Sequence, residues 1–222
     1  MNELVPALKT TLFEPTYDLA FEYAEIGIDA LLSNDTLKAI PFVNTIAAIC
    51  KVGYSLHERN LIKQTLSFIT GFNAGSIEPK KLEKYRQELD ANPQKAEKEL
   101  GRVMIILGNH IEGIQSKVLG GFYRAYVKGA ISWEKFCELS EVNRRMFVSD
   151  YSVLIEAAHN DGLNIEEREL YQVDRLISLG LLQNHNRLGG TQWITTMDQS
   201  DKEKDIIITS LGKTFYQHMA DI

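Results

Sequence analysis

The stretch Leu61–Phe72, with the sequence LIKQTLSFITGF, gives the most direct indication of how this chain folds. Its large apolar residues recur every three or four positions, at Leu61, Ile62, Leu66, Ile69 and Phe72. An α-helix makes one turn every 3.6 residues, so this spacing brings the apolar side chains onto one face. The pattern therefore predicts an amphipathic helix that packs against neighbouring helices.

The segment before it, residues 39–53 (AIPFVNTIAAICKVG), begins the most apolar part of the chain. Its large side chains surround the helix axis instead of forming one stripe, which is typical of a helix buried on all sides. We therefore predict a central core helix. A second interpretation stays open, in which residues 39–50 are released to lie on or insert into a membrane. The uncharged stretch between Lys38 and Lys51 has only twelve residues, whereas a spanning helix needs about 20.

The rest of residues 1–132 also has helical patterns, so we predict a multi-helix N-terminal domain. One amphipathic helix is expected at Tyr17–Leu32, and two more at Val103–Ile114 and Val118–Val127. The pair Gly120-Gly121 indicates either a bend or a close crossing of helices. Residues 78–100 contain six acidic and six basic side chains. This balance favours a solvated helical hairpin over a binding surface.

Residues 133–222 form a second domain with a different order of elements. Helices are expected at Trp133–Met146, Asp150–His159 and Ile165–Leu179, the last ended by Gly180. Residues 191–196 and 206–209 are rich in strand-forming side chains and predict a hairpin, and a final helix begins at Ser210. Three helices, a hairpin and a closing helix follow one another as in a winged-helix module. The predicted fold is therefore mainly α, with a winged-helix-like α+β C-terminal module.

A winged helix would read DNA with the helix at 165–179, and the charge of that helix opposes this role. It carries Glu166, Glu167, Glu169 and Asp174 against only two arginines, and residues 140–222 hold thirteen acidic and eight basic side chains. Affinity for DNA comes largely from neutralising phosphates with Lys and Arg. We therefore favour a protein-contact or self-association role. If the module does bind DNA, the candidate contacts are Arg168, Arg175 and Arg187.

Composition places the chain among ordinary globular proteins. Its net charge is −6, which gives no general attraction to nucleic acid or to anionic membranes. Cys50 and Cys137 each occur in an apolar helical context, so we expect free thiols in a reducing compartment. The first fifteen residues do not resemble a secretory signal, and no transmembrane segment is visible. These features predict a cytoplasmic protein.

No motif predicts catalysis, a cofactor or a metal. Gly212-Lys213-Thr214 resembles the end of a phosphate-binding loop, but Ile207 occupies the position that needs the first glycine. Glu156 and His159 have the spacing of a di-metal helix, which requires a second such pair, and no other histidine has Glu three positions earlier. The calcium-loop pattern around Asp161-Gly162 also lacks its acidic ends. We therefore expect no enzyme activity, no cofactor and no metal site.

Three segments together resemble the abortive-infection alpha-like group, bacterial helical proteins associated with mobile elements. They are residues 39–53, LIKQTLSFITGF at 61–72, and the C-terminal pair RLISLGLL at 175–182 and ITSLGKTF at 208–215. The group has no assigned catalytic motif, so the resemblance assigns no site residues. It implies a non-catalytic bacterial protein with a role in phage defence. The leading hypothesis is thus an intracellular interaction protein that acts through protein contacts or a conditional membrane effect. The alternative is a winged-helix regulator that binds DNA.

Overall fold

The computed structural model describes residues 3–13, 39–49, 55–164, 169–185 and 205–219. Within these ranges the chain forms ten helices and two short strands, which confirms the prediction of a mainly helical protein. None of these helices combines the length and the apolar character that crossing a membrane requires. The helix predicted at Tyr17–Leu32 and the strand predicted at 191–196 lie outside the described residues.

The chain divides into two compact units, the first ending at Arg144 and the second spanning Arg145–His218. The sequence suggested a boundary between residues 132 and 133. The helix Trp133–Arg144 instead belongs to the first unit. The reason is aromatic packing, because the ring of Tyr126 lies 5.2 Å from that of Trp133 and 6.3 Å from that of Phe136, centroid to centroid.

The described part of the first unit consists of seven helices. Pro79 and Pro93 each occupy the first turn of a helix, where the N–H that proline lacks is not needed. Ser55 begins another helix with a capping box, in which Ser55 Oγ accepts from Glu58 N (3.3 Å) and Glu58 Oε2 accepts from Ser55 N (2.7 Å). The helices are α1 (Leu4–Phe13), α2 (Pro41–Ile49), α3 (Leu56–Asn73), α4 (Pro79–Ala91), α5 (Pro93–Asn109), α6 (Gly113–Val127) and α7 (Trp133–Arg144).

Helices α3 and α6 form the most extensive helix pair of the unit, and glycines lie where they cross. A Cβ atom on Gly120 would be 2.1 Å from the carbonyl oxygen of Phe68, and one on Gly71 would be 1.8 Å from that of Lys117. The two backbones therefore touch directly, which any larger residue would prevent. Because α6 continues through Gly120 without interruption, the glycine pair marks a close crossing and not a break between helices.

The central helix of the unit is α6, and the prediction that the 39–53 segment fills this place is wrong. In α6, Val118, Leu119, Phe122 and Tyr123 are all fully buried. Helix α2 instead buries one face and leaves Ile49 half exposed. A short helix can be apolar at most positions and still pack on one side only. Helix α2 packs mainly against α1.

The second unit contains α8 (Val148–His159), α9 (Leu170–Ser178), β1 (Leu182–Asn184), β2 (Ile206–Ile208) and α10 (Ser210–His218). The strands are antiparallel, with Leu182 opposite Ile208 and Asn184 opposite Ile206. Leu163 forms an isolated bridge to Ile206 as well. The predicted strand at 206–209 is thus confirmed, and its partner among the described residues is 182–184.

Two glycines fix how the chain turns in this unit. Gly180 has a φ of +76°, and Leu181 N donates to Leu176 O (3.0 Å), so α9 ends as predicted from that glycine. A Cβ on Gly212 would lie 2.2 Å from Leu181 O. The glycine before Lys213-Thr214 is therefore required by packing, which gives a structural reason for the sequence that resembles a phosphate-binding loop.

The crossing of α3 and α6 leads to a first prediction. Gly120→Ala is expected to lower the free energy of unfolding by at least about 2 kcal/mol, because the added methyl group overlaps a backbone carbonyl. Gly101→Ala is the matched control, since on α5 the nearest atom to a new Cβ is a Glu97 carboxylate oxygen at 3.8 Å. It should raise stability by about 0.5–1 kcal/mol, the usual gain of Ala over Gly within a helix. Urea unfolding measures the free energy of unfolding of both variants, and equal effects of the two substitutions would contradict the close crossing of α3 and α6.

Candidate interaction surface

A buried carboxylate with three tyrosines joins α4, α5 and α6 in the first unit. Glu99 is only 5% exposed, and its oxygens accept hydrogen bonds from the hydroxyls of Tyr85 (2.5 Å) and Tyr126 (2.8 Å). The hydroxyls of Tyr85 and Tyr123 lie 2.8 Å apart. Since Tyr85 gives its single proton to Glu99, Tyr123 must donate to Tyr85. The sequence placed Glu99 in a solvated charged hairpin, and for this residue the expectation is wrong.

The three tyrosines of this cluster act as neutral hydrogen-bond donors. Burial raises the pKa of Tyr85, Tyr123 and Tyr126 above the ordinary value, and the hydrogen bond to Glu99 raises the pKa of Tyr126 further. A buried carboxylate is costly unless its oxygens are satisfied by such donors. The cluster therefore satisfies a polar group inside the core and holds three helices in register.

A second buried network surrounds His110, at the end of α5. Gln64 Nε2 donates to Ile111 O (2.8 Å) and to Asn60 Oδ1 (3.2 Å), which leaves its Oε1 to accept from Ser116 Oγ (2.7 Å). Ser116 Oγ also lies 2.8 Å from His110 Nδ1. Because the hydroxyl proton is already given to Gln64, Nδ1 of His110 must carry the proton and donate.

The other ring nitrogen of His110 is buried without a hydrogen-bond partner. His110 is 1% exposed, and Nε2 has no partner within the described residues. Burial, with a smaller effect from the charge of Arg144, lowers the pKa of His110 to about 4. Ser116 is fully buried and gives its proton to an amide. The pair therefore lacks the exposed, base-activated hydroxyl that nucleophilic catalysis needs.

The second unit contains a buried ion pair at the start of α8. Asp150 is fully buried, and its carboxylate accepts from Arg175 Nε (2.8 Å), Arg175 Nη2 (2.5 Å) and the backbone N–H of Phe147 (2.8 Å). Asp150 also lies in the first turn of its helix, where the helix dipole favours a negative charge. The hydrogen bonds from Arg175 raise the pKa of the guanidinium. This pair fixes the beginning of α8 against α9.

Four large apolar side chains around this ion pair are exposed. Their exposed fractions lie between 52% and 63%. The guanidinium carbon of Arg175 lies 4.5 Å from the ring centroid of Phe147 and 5.6 Å from that of Tyr171, so the cation contacts two aromatic rings. We call this set the aromatic surface; its members are Phe147, Val148, Leu170 and Tyr171.

The aromatic surface has the composition of a protein contact site. Tyr and Arg are enriched among the residues that dominate binding energy, and clustered exposed apolar side chains mark interaction surfaces. Fully burying each side chain would contribute about 1.5–3 kcal/mol before the costs of association. Because the ion pair holds Arg175, and Arg175 contacts two of the rings, Phe147 and Tyr171 each have a fixed neighbour on this surface.

Only one of the three arginines proposed as DNA contacts belongs to the described residues. Arg168 and Arg187 lie outside the described residues. Arg175 is described, and its guanidinium is bound to the Asp150 carboxylate by two hydrogen bonds. Glu169 and Asp174, which precede it in the sequence, are exposed. The charge of Arg175 is thus already paired with a carboxylate inside the unit.

The aromatic surface was not predicted from the sequence, although the sequence contains one signal of it. The predicted helix began at Asp150, whereas α8 begins at Val148 with Phe147 as its N-cap residue. Ser, Thr, Asp and Asn are the usual N-cap residues because their side chains accept from the first turn. A Phe-Val pair in this place, followed by an acid at the third helical position, indicates apolar side chains displayed at a helix end.

Metal ligands do not converge in the part of the chain that the structure describes. No group of three His, Cys, Asp or Glu side chains there has a suitable arrangement. Cys137 is a free thiol, as predicted for it, and burial raises its pKa. Cys50 lies outside the described residues.

The His110 network leads to a prediction about pH. The pKa of His110 is lower in the folded chain (about 4) than in the unfolded chain (about 6.5), so the unfolded state binds the proton first as the pH falls. Stability is therefore fully present above about pH 6.5 and declines below it, by about 2 kcal/mol between pH 7 and pH 5. His110→Asn should abolish this part of the pH dependence in urea unfolding. His57→Asn, at an exposed histidine of α3, should retain it, and an unchanged slope in His110→Asn would refute the assignment.

The comparisons with known proteins leave the site to be interpreted from its own geometry. Protein-family models, curated proteins and solved structures were each searched, and none matches this chain.

Proposed function

We propose that this chain is a non-catalytic, intracellular interaction protein that binds a protein partner, or a second copy of itself, through the aromatic surface of the second unit. The observation that carries the proposal is the exposure of Phe147 (63%) and Tyr171 (59%), whose rings both contact a guanidinium held by a buried carboxylate. Aromatic rings fixed in this way bind with little loss of conformational entropy. The resemblance to abortive-infection proteins supports a setting in phage defence.

A photo-crosslinking experiment tests this proposal. A photoreactive phenylalanine analogue replaces Phe147 in one version of the full chain and Ile111 in another. Ile111 is the matched control, since it is exposed (78%) and apolar but belongs to the first unit. We expect a discrete crosslinked species from position 147, identifiable by mass spectrometry as a partner or a second copy, and none from position 111.

The double variant Phe147→Ser, Tyr171→Ser provides the functional readout. With the photoreactive residue moved to position 148, which is also exposed, the double variant should abolish the crosslink seen in the otherwise wild-type chain. It should also abolish any protection against phage measured by plaque counts. Both side chains are exposed, so the melting temperature should change little. A crosslink that survives the double variant, or equal crosslinking from positions 147 and 111, would refute the aromatic surface as the contact site.

A second candidate function is a winged-helix regulator that binds DNA. The pairing of β2 with β1 on one side and with Leu163 on the other favours it, since a small sheet after the reading helix is part of that fold. The neutralised Arg175 and the acidic Glu169 and Asp174 oppose it. These charges make DNA binding the less favoured function.

A gel-shift titration separates the two functions. With random-sequence DNA at low salt, we expect no retardation by the wild-type chain. Strong, salt-sensitive retardation that is lost in the variant Arg168→Ala, Arg187→Ala would establish the DNA-binding alternative in place of the protein contact.

A further inference from the structure

Acidic and basic side chains are equal in number in residues 78–100, but they are not evenly distributed in the structure. Its acids are directed to separate places: Asp90 pairs with Lys9 of α1, Glu99 is buried in the tyrosine cluster, and Glu83 accepts from Gln87. Its bases Lys81, Lys84 and Lys95 instead converge on one cavity between α4, α5 and the end of α6. The fold therefore separates charges that alternate along the chain.

This cavity, which we call the lysine cavity, has a volume of about 290 Å³. Lys128, just after α6, is a fourth lysine that lines it. Among its lining residues, all of which belong to the described part of the chain, Glu88 is the one carboxylate. The lining residues thus carry three more positive than negative charges, although the whole chain has a net charge of −6.

Internal contacts use only part of this charge. Lys95 Nζ lies 2.6 Å from Glu88 Oε2 and 5.2 Å from the ring centroid of Tyr85. Lys81 Nζ donates to Lys128 O (3.0 Å) and so satisfies a carbonyl near the C-terminus of α6. The hydrogen bond from Lys95 lowers the pKa of the Glu88 carboxyl, and the charge of Lys84 lowers it further. One carboxylate does not balance four lysines, and a bound polyanion would neutralise the excess positive charge.

The walls of the cavity are fixed in position. Tyr85 and Tyr126 both line it, and both hydroxyls donate to Glu99 in the core behind them. The N–H groups of Lys128 and Gly129 donate to carbonyls of α6, so the backbone there offers no anion-binding donors. Recognition would therefore rest on the lysine ammonium groups, which bind phosphate as point charges.

We propose that the lysine cavity binds a small molecule carrying a diphosphate or triphosphate group. The surplus of three charges matches such a group and exceeds what a single carboxylate would neutralise. The volume is close to the lower end of the range for small-molecule sites, about 300–1,000 Å³. This site lies in the first unit and is independent of the aromatic surface, so either proposal can fail without the other.

Calorimetric titration of the full chain tests the site, using inorganic triphosphate and ATP, both without metal. We expect binding of the triphosphate that weakens as salt is raised. The variant Lys84→Gln, Lys128→Gln should weaken it by about ten-fold, which is the combined effect of two surface charge contacts. Both residues are exposed, and unchanged circular-dichroism melting curves would show that the fold is retained. Tighter binding of ATP would identify a nucleotide as the ligand, and equal binding would identify the phosphate chain alone.

The matched control is Lys80→Gln, Lys98→Gln, which removes the same charge from exposed positions of the same hairpin that do not line the cavity. It should bind triphosphate within about two-fold of the wild type, a difference below 0.5 kcal/mol by the usual conversion. Equal weakening in the two double variants would overturn the proposal. So would the absence of binding by the wild type at low salt, or equal binding of sulfate at matched ionic strength.

Discussion

Direct backbone contact between α3 and α6 is the constraint on which the first unit depends. With glycine at positions 71 and 120, the two helices approach until a carbonyl of each occupies the space where the other would carry a side chain. This brings the fully buried face of α6, with Val118, Phe122 and Tyr123, into the middle of the unit. The other helices of the described ranges then pack around a helix pair whose separation is fixed by sterics and not by side-chain volume.

Polar groups within this core specify the arrangement of the helices more than they add to stability. Glu99 requires hydroxyls from α4 and α6, and His110 with Ser116 and Gln64 links the end of α5 to α3 and α6. Each group would be costly if a helix shifted, because a buried acceptor would lose its donor. The same tyrosines that satisfy Glu99 form walls of the lysine cavity, so one network serves both the core and a surface feature.

The second unit also depends on a close backbone approach at a glycine and on a buried polar contact between helices. Gly212 allows α10 to approach the carbonyl of Leu181, and the Asp150–Arg175 pair fixes α8 to α9. Arg175, which the sequence offers as a phosphate contact, is paired with Asp150 and also contacts the exposed rings of Phe147 and Tyr171.

The sequence by itself determined the helical class, the starts of α4 and α5 at their prolines, the end of α9 at Gly180 and the strand at Ile206–Ile208. It placed the start of α3 at Leu61, whereas that helix begins at Leu56. These features are encoded by local periods, caps and turn residues, so a short segment is enough to predict them. Only the tertiary structure decided which helix is central, how the charges of residues 78–100 separate, and that Glu99 and Asp150 are buried. Those outcomes depend on partners distant in sequence, such as Tyr126 for Glu99 and Arg175 for Asp150. A charged residue occurs in the same local sequence pattern whether its side chain faces water or a buried hydrogen-bond donor. For this reason the candidate surfaces could be identified only in the folded structure.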